Sequence, residues 1–298
     1  MPDQTHPTDP VDRADPGVLR LAVPNKGSLS QDAVDMLREA GYRQRTDAKR
    51  LTLSDGENGV EFFYLRPRDI ALYVGEGTLD VGITGRDLLL DSGAKAEEVL
   101  PLGFGRSRFH FAAPPGVISE VNDLAGKRIA TSYAGVVHRF LESHGIEATV
   151  THLDGAVESS VQLGVADVIA DVVETGTTLR QAGLEIIGEP ILRSEAVVVR
   201  RAHAGEDPAF EQLLRRLQGV LVARRYVMMD YDVPLANVEA AVALTPGIES
   251  PTLSPLRDAA WVAVRAMVPR GDAQRIMDAL WEVGARAILV TDIHACRL

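Results

Sequence analysis

One loop in this sequence has the residue types needed to hold a phosphorylated sugar. Residues 171–179 read Asp-Val-Val-Glu-Thr-Gly-Thr-Thr-Leu, an apolar run followed by a polar loop and the start of a helix. Backbone N–H groups at a helix N-terminus, together with hydroxyls, form a cradle for phosphate. A carboxylate at the strand end, Asp171, can accept hydrogen bonds from two ribose hydroxyls. Thr177 as a simple N-cap and Asp171 as a solvated strand end fit the same residues.

Cationic side chains in two other turns could bind polyanions. Lys26 lies in the turn at 24–27, where its ammonium group can act as a point charge toward a diphosphate or triphosphate. Arg66 and Arg68 flank Pro67 at a predicted helix start, so two guanidinium groups project from one stiff segment. All three also fit an ordinary role as surface cations, so the residue types alone leave polyanion binding open.

Further carboxylates follow predicted strands, where α/β folds usually bind ligands. Gly85 ends one such strand, and Asp87 can contact a nucleotide or complement the dipole of the following helix. Asp154 and Glu158 follow another strand, and their spacing of four would place both on one helical face. A capping role for Asp154 with a solvated Glu158 is the simpler alternative.

Composition excludes several classes of protein. The 298 residues include 31 Lys+Arg and 42 Asp+Glu, a net charge of −11, which argues against a surface that coats nucleic acid. No apolar stretch approaches the roughly 20 residues of a membrane span. The one cysteine, Cys296, excludes an internal disulfide, and the seven histidines lack metal-site spacing. Residues 1–17 lack the pattern of a secretory signal, so we expect a cytoplasmic protein.

Alternating strands and helices would position these residues. The Pro- and Asp-rich segment 1–17 predicts a disordered tail. The alternation that follows predicts parallel α/β sheets in two lobes, a first lobe of 18–107 plus 196–226 and a second of 108–195. The main predicted strands are 19–23, 60–65, 79–84, 109–113, 128–132, 148–153, 167–173 and 196–200.

Residues 227–298 follow a different pattern. Their predicted order of elements is strand, helix, two strands, helix and strand, preceded by a long helix at 210–225. This βαββαβ order is typical of a ferredoxin-like domain, of the ACT-like kind. The chain is therefore predicted to be α/β, with two lobes and a third, smaller domain.

Together these segments resemble the ATP phosphoribosyltransferase family in its long form. The resemblance rests on the loop at 171–179 and on the segments 23–27, 65–69, 77–85, 153–158 and 249–252, in the family's order. It extends over roughly residues 18–298. It implies a catalytic core with two lobes of the type II periplasmic-binding-protein-like fold, and a C-terminal regulatory domain.

The resemblance also implies a reaction and its participants. A pentosyltransferase of this family would move the 5-phosphoribosyl group of 5-phosphoribosyl-1-diphosphate (PRPP) to N1 of ATP and release diphosphate, the first step of histidine biosynthesis. Mg²⁺ would arrive with the diphosphate rather than in a cage of protein ligands. L-Histidine and AMP would inhibit the enzyme, the chain would form dimers and hexamers, and neither nucleic acid nor membrane would be a partner.

Site residues follow from the same resemblance. The expected catalytic residues are Lys26, Arg66, Glu158 and Asp171. Those expected to bind PRPP are Asp154, Asp171, Glu174, Thr175, Gly176, Thr177 and Thr178. Those expected to bind ATP are Asn25, Lys26, Arg66, Arg68, Gly85 and Asp87. Those expected to bind the inhibitor histidine are Asp232, Ile248, Thr252 and Ala287.

Three other functions fit parts of the sequence. A non-enzymatic two-lobed sensor with an amino-acid-binding domain would explain the lobes and residues 77–85, but not the threonine-rich loop. A purine or pyrimidine phosphoribosyltransferase would share the loop, but that family generally carries paired acids where this chain has Asp171-Val172. A catalytically inert subunit is disfavoured because the loop, Lys26 and the terminal domain occur in one chain.

Overall fold

The structure, a computed structural model, describes residues 17–173 and 176–297. Within that part of the chain there are two compact units. Unit 1 comprises the residues up to 35 together with 43–210, and unit 2 comprises 36–42 and the residues from 211 onward. The predicted boundary after residue 226 instead assigns residues 211–226 to the first lobe.

The first sheet of unit 1 is mixed rather than wholly parallel as predicted, since two of its six strands run opposite to the other four. Its strands are β1 (Leu19–Pro24), β2 (Thr52–Asp55), β3 (Val60–Leu65), β4 (Val81–Gly85), β5 (Ala96–Pro101) and β11 (Ala196–Arg201). They lie in the order β2-β3-β1-β4-β11-β5, with β1 parallel to β3 and β4 and with β11 antiparallel to β4 and β5. Strand β4 is buried throughout, as expected for a strand covered on both faces.

The second sheet of unit 1 repeats the arrangement of the first. Its strands are β6 (Ser107–Ala113), β7 (Arg128–Thr131), β8 (Thr149–His152), β9 (Val168–Val173) and β10 (Glu185–Ser194), in the order β10-β6-β9-β7-β8. Four strands run in one direction in each sheet: β1, β3, β4 and β5 in the first sheet, and β7, β8, β9 and β10 in the second. Counted along the chain, both sets lie in the order second, first, third and fourth, with one antiparallel strand between the third and the fourth. These antiparallel strands, β11 and β6, each follow a strand of the other sheet along the chain: β6 follows β5, and β11 follows β10.

This shared strand order confirms the predicted two-lobed, type II periplasmic-binding-protein-like core. Six helices follow the parallel strands: α1 (Ser28–Glu39), α2 (Pro67–Gly75), α3 (Arg86–Ser92), α4 (Ala134–His144), α5 (Ser159–Gln162) and α6 (Thr177–Gln181). A 3-10 turn, Val121–Leu124, precedes β7.

Apolar side chains cover the two faces of the second sheet in alternation. Phe109 and Phe111 of β6 belong to a cluster with residues of α4, whereas Ala112 belongs to a cluster with Leu179 of α6. Because successive side chains of a strand point to opposite faces, His110 shares the face of Ala112. That face carries the connection from β9 to α6.

Unit 2 contains a four-stranded antiparallel sheet. Its elements are α7 (Pro208–Arg225), which begins in unit 1, β12 (Tyr226–Pro234), α8 (Val238–Leu244), β13 (Thr252–Pro255), β14 (Trp261–Pro269), α9 (Ala273–Glu282) and β15 (Arg286–Asp292). The sheet order is β13-β14-β12-β15, with 3-10 turns at Leu235–Asn237 and Arg270–Asp272. The βαββαβ order confirms the predicted ferredoxin-like domain.

One buried hydrogen bond in unit 2 gives a testable stability prediction. The Tyr231 hydroxyl lies 2.7 Å from Oγ1 of Thr245, which also donates to the carbonyl of Ala241. Replacing Tyr231 by Phe removes this bond but keeps the ring, so we expect the free energy of unfolding to fall by about 1 kcal/mol. Chemical denaturation measures it, with Tyr226→Phe, at the start of the same strand, as the control. Equal stability of Y231F and wild type would contradict the expectation.

None of the helices in the described ranges is long and apolar enough to span a membrane.

Candidate active site

Contacts between the two lobes of unit 1 centre on Arg68 and Asp91. Arg68 Nη1 donates to Asp91 Oδ2 at 2.9 Å and to the carbonyl oxygen of Ser132 at 3.0 Å, and its guanidinium carbon lies 4.9 Å from the ring centroid of Tyr133. Asp91 Oδ1 accepts from the N–H of Gly135, at the start of α4, at 2.8 Å. A Cβ atom on Gly135 would clash with the Asp91 backbone, so glycine allows this close approach. The first lobe therefore caps a helix of the second.

Asp87 is the most buried carboxylate in this region. Its Oδ1 accepts from the hydroxyl of Ser194 at 2.8 Å, and its backbone N–H donates to the same hydroxyl at 3.0 Å. The side chain of Tyr133 lies close enough to Asp87 for the two groups to interact electrostatically. Burial, reinforced by the charge of Asp87, raises the pKa of Tyr133 far above its ordinary value, so this hydroxyl stays protonated. Ser194 therefore holds Asp87 in one orientation, beside Tyr133.

Asp171 lies close enough to Tyr133 for its charge to raise the pKa of that tyrosine as well. Oδ1 of Asp171 accepts from the N–H of Val172 at 2.7 Å. Burial raises the pKa of Asp171, and the negative charge of Glu158 acts in the same direction. The structure thus brings Asp87, Tyr133 and Asp171 together where the two lobes meet.

The pair Asp154 and Glu158 differs from the prediction. The two residues were expected on one helical face, but α5 begins only at Ser159, and Ala156 between them has a left-handed backbone with φ of 48°. Asp154 is exposed and lies 3.2 Å from Nε2 of His152, whereas Glu158 is half-buried. The prediction of one helical face is wrong, because residues 154–158 form bends and a turn that precede the helix.

The connection from β9 to α6 is described only in part. Glu174 and Thr175, both predicted to bind PRPP, lie outside the described residues. Gly176 is the N-cap of α6, with φ of 69°, a left-handed conformation that favours glycine. Thr177 and Thr178 are exposed residues of the first turn of α6. The alternative reading of Thr177 as the N-cap is therefore wrong.

The remaining residues predicted to bind ATP follow β1, β3 and β4. Lys26 and Arg66 are exposed and Gly85 is buried. Asn25 Oδ1 is buried and has no hydrogen-bond partner within the described ranges. Since most buried polar atoms are paired, a ligand N–H group is a suitable partner for this oxygen.

The residues predicted to bind histidine lie in unit 2. In the register of β12 and β15, Asp232 lies opposite Arg286. Ala287 lies in the adjacent irregularity of this register and has a φ of 50°. Thr252 and Ile248 are exposed, in β13 and in the segment before it. Asp232 and its neighbours alternate with the buried residues of β12, so its side chain points away from the core.

Sequence reasoning missed Tyr133 and Ser194. Tyr133 follows β7 at its carboxyl end, the position from which α/β folds usually present ligand-binding residues, so its position was a usable signal. Ser194 ends β10, a strand that was not predicted, and no local motif marks it. Its link to Asp87 spans 107 residues of the chain.

Comparison with known families identifies the chain. Residues 66–219 match the family described as "ATP phosphoribosyltransferase", and residues 223–295 match "HisG, C-terminal domain". The chain belongs to the ATP phosphoribosyltransferase family. Family membership confirms the predicted phosphoribosyl-transferring enzyme of histidine biosynthesis and disfavours the non-enzymatic sensor.

Similarity to individual members of the family extends over nearly the whole chain. The chain is 66% identical over 285 residues to the ATP phosphoribosyltransferase of Streptomyces avermitilis, covering 94% of this chain and 100% of that protein. It is 64% identical over 286 residues to that of Arthrobacter sp. (strain FB24), with the same coverage. Among solved structures, a chain of the ATP phosphoribosyl transferase (HisG:HisZ) complex from Thermotoga maritima is 29% identical, with a TM-score of 0.58, covering 68% of this chain and 98% of that one.

Proposed function

We propose that this chain transfers the 5-phosphoribosyl group of PRPP to N1 of ATP, releasing diphosphate. The observation that carries the proposal is the convergence of Asp87, Tyr133 and Asp171 where the two lobes meet. Asp171 precedes the glycine- and threonine-rich connection, and Asp87 follows a strand of the opposite lobe. Two anionic substrates can therefore approach each other from the two lobes.

The carboxylate of Asp171 is suited to the charge that develops during the reaction. As the bond from C1 of the ribose to diphosphate breaks, positive charge builds on the sugar ring. A partly desolvated carboxylate stabilises such charge more than a solvated one, because the local dielectric is lower. Burial raises the pKa of Asp171, and a neighbouring positive charge would favour its ionised form.

The attacking group needs little help from the protein. N1 of adenine carries a lone pair, which forms the new bond to C1 as the bond to diphosphate breaks, so the attack itself needs no general base. Positioning of both substrates therefore supplies much of the rate enhancement. We assign ATP to Asn25, Gly85 and Asp87.

Cationic groups neutralise the phosphates. We assign this role to Lys26 and Arg66, which are exposed beside the strand ends, and to Arg68, which would exchange part of its contact with Asp91 for a phosphate. No cluster of three or more possible metal ligands occurs within the described ranges. Exposed carboxylates such as Asp154 and diphosphate oxygens fit Mg²⁺, which keeps several waters and uses few protein ligands. The ion supplies charge neutralisation on the leaving diphosphate.

Regulation and assembly are further parts of the proposal. L-Histidine and AMP inhibit the enzyme, and histidine binds unit 2 through Asp232, Ile248, Thr252 and Ala287. The match of residues 223–295 to the family's C-terminal domain supports this division of roles. The chain works in the cytoplasm as a homo-oligomer of dimers and hexamers, and the relative from Thermotoga maritima is likewise part of a complex.

A coupled assay tests the reaction. The protein is mixed with ATP, PRPP and Mg²⁺, and a pyrophosphatase removes diphosphate to pull the equilibrium. Absorbance reports phosphoribosyl-ATP, and phosphate release reports the leaving group. Absence of both signals would refute the enzymatic function, and omission of either substrate is the control.

Histidine inhibition gives a separate prediction. Replacing Asp232 by Ala removes a carboxylate that can pair with the ammonium or imidazole of histidine, so the half-inhibiting histidine concentration should rise about tenfold or more. The uninhibited kcat should stay within about twofold. Histidine titration of the coupled assay measures both, with Asp230→Ala on the same face of β12 as the control. An unchanged titration curve for D232A would remove Asp232 from the histidine site.

A further inference from the structure

His110 is a buried residue next to Asp171, and the proposed mechanism gives it no role. It lies on β6 directly opposite Asp171 on β9, and its side chain is 8% exposed. Residues paired in this way across an antiparallel ladder place their side chains on the same face, with Cβ atoms about 4.5–5.5 Å apart. Side chains on Cβ atoms at that spacing are within reach of a hydrogen bond when the imidazole and the carboxylate point toward each other.

Nδ1 of His110 is a buried polar atom. It has no hydrogen-bond partner within the part of the chain that the structure describes. Most buried polar atoms are paired, and an unpaired one destabilises the protein, so an unpaired atom beside a reacting group needs an explanation. The adjacent carboxylate of Asp171 can accept several hydrogen bonds and is itself partly desolvated.

Burial and the nearby cations favour the neutral form of the His110 imidazole. Arg108 lies two residues from His110 on the same face of β6, and Arg193 on β10 is the ladder partner of Arg108. Glu189 lies in the irregular part of β10 opposite His110. Burial first, and then the charges of Arg108 and Arg193, lower the pKa of His110, whereas Glu189 acts in the opposite direction. A neutral imidazole has one N–H donor and one acceptor, and the donor can be Nδ1.

We propose that His110 is a positioning residue, whose Nδ1–H donates a hydrogen bond to the Asp171 carboxylate when PRPP is bound. This bond keeps the carboxylate ionised and turned toward the ribose hydroxyls, away from the N–H of Val172. It also satisfies the buried nitrogen. The inference rests on the proposed role of Asp171 in binding PRPP.

Three variants test the hydrogen bond by kinetics. His110→Phe keeps an aromatic ring without a donor, and His110→Asn places an amide nitrogen close to the position of Nδ1. His138→Phe, on the exposed side of α4, is the matched control. We expect H110F to raise KM for PRPP about tenfold with KM for ATP within about twofold. H110N should restore KM for PRPP to within about threefold of wild type, and H138F should match wild type.

A spectroscopic measurement separates positioning from packing. In the full chain labelled with ¹⁵N-histidine, addition of PRPP and Mg²⁺ should shift the Nδ1 resonance of His110 toward that of a protonated, hydrogen-bonded nitrogen. The shift should be absent in Asp171→Ala, which leaves no side-chain acceptor for Nδ1–H. The acid limb of the pH profile of kcat/KM for PRPP should also move to higher pH in H110F, because the carboxylate has lost a donor.

Several outcomes would overturn the proposal. In an active wild-type enzyme, an unchanged KM for PRPP in H110F shows that His110 does not act on this substrate. Equal impairment of H110N and H110F, with no shift of Nδ1 on adding PRPP, shows a purely structural role. An unchanged kcat/KM for PRPP in D171N refutes the role of Asp171 itself, and with it this inference, while the transferase activity stands.

Discussion

Replacing Asp171 by Asn is expected to lower kcat/KM for PRPP by about 100- to 1000-fold, the range found when one preorganised electrostatic group is removed from an active site. Asn keeps the size of the side chain and can still contact the ribose hydroxyls, but it cannot stabilise positive charge on the sugar ring. Kinetics at saturating ATP measure the loss. Histidine binding, followed by calorimetry, should be unchanged because Asp232 and the other predicted histidine residues belong to unit 2.

The same substitution makes a prediction about stability and pH. Burial raises the pKa of Asp171, so the ionised side chain costs stability at pH values above that pKa. D171N should therefore unfold at the same or a higher temperature than wild type at pH 7. The wild-type value of kcat/KM should fall as the pH falls through the pKa of this carboxyl group, and this limb should be lost in D171N.

Asp167, at the opposite end of β9, provides a matched control for Asp171. Asp167 precedes β9 and pairs with Arg128 at 2.7 Å, far along the strand from Asp171. Asp167→Asn should leave kcat/KM for PRPP within about twofold, at a cost of at most about 1 kcal/mol in stability. If D167N and D171N lower activity equally, the loss reflects the fold and Asp171 has no special role.

Replacing Asp87 by Asn is expected to lower kcat/KM for ATP by about 10- to 100-fold. A charge-assisted hydrogen bond is worth more than a neutral one, and this carboxylate is held in place by Ser194 and lies beside Tyr133. The companion variant Tyr133→Phe removes one hydroxyl but keeps the ring beside Arg68, so we expect a smaller loss of about tenfold. Initial rates with each substrate varied in turn assign the loss to ATP or to PRPP.

Asp80→Asn is the control for Asp87. Asp80 precedes β4 at the end opposite Asp87, and its carboxylate accepts from the N–H of Arg20 at 2.8 Å. D80N should change neither KM. A rise in KM for PRPP alone in D87N would place Asp87 at the other substrate, and an unchanged D87N would remove it from the site.

Local patterns predicted the elements that carry the chemistry. Strand β3 was predicted at its observed bounds, and β9 within one residue, because apolar runs between glycine and polar turns mark buried strands. Strands β2, β5 and β10 were not predicted. In β5 four of six residues are exposed, and β10 contains Pro190 and a register irregularity, so neither has the usual apolar pattern.

In the candidate site, individual residues could be named from the sequence, but their contacts with distant residues could not. Asp171, Asp87 and Arg68 were named from the sequence because each lies at a strand-to-helix junction, where local chemistry is informative. The contact of Arg68 with Asp91 and Ser132 could not be predicted, since its partners lie 23 and 64 residues further along the chain. Arg68 was predicted to bind phosphate. In the structure its guanidinium group contacts Asp91 and Ser132, so a bound phosphate would compete with these contacts.

The sequence by itself determined the family, the order of the elements and the acidic, cationic and glycine-rich turns at strand ends, because these depend on residues close together in the chain. Only the tertiary structure decided which of these turns meet. Pairing of β6 with β9 places His110 beside Asp171, and the end of β10 brings Ser194 to Asp87. Such neighbours arise from strand pairing between distant segments, and the spacing of residues along one chain does not encode that pairing.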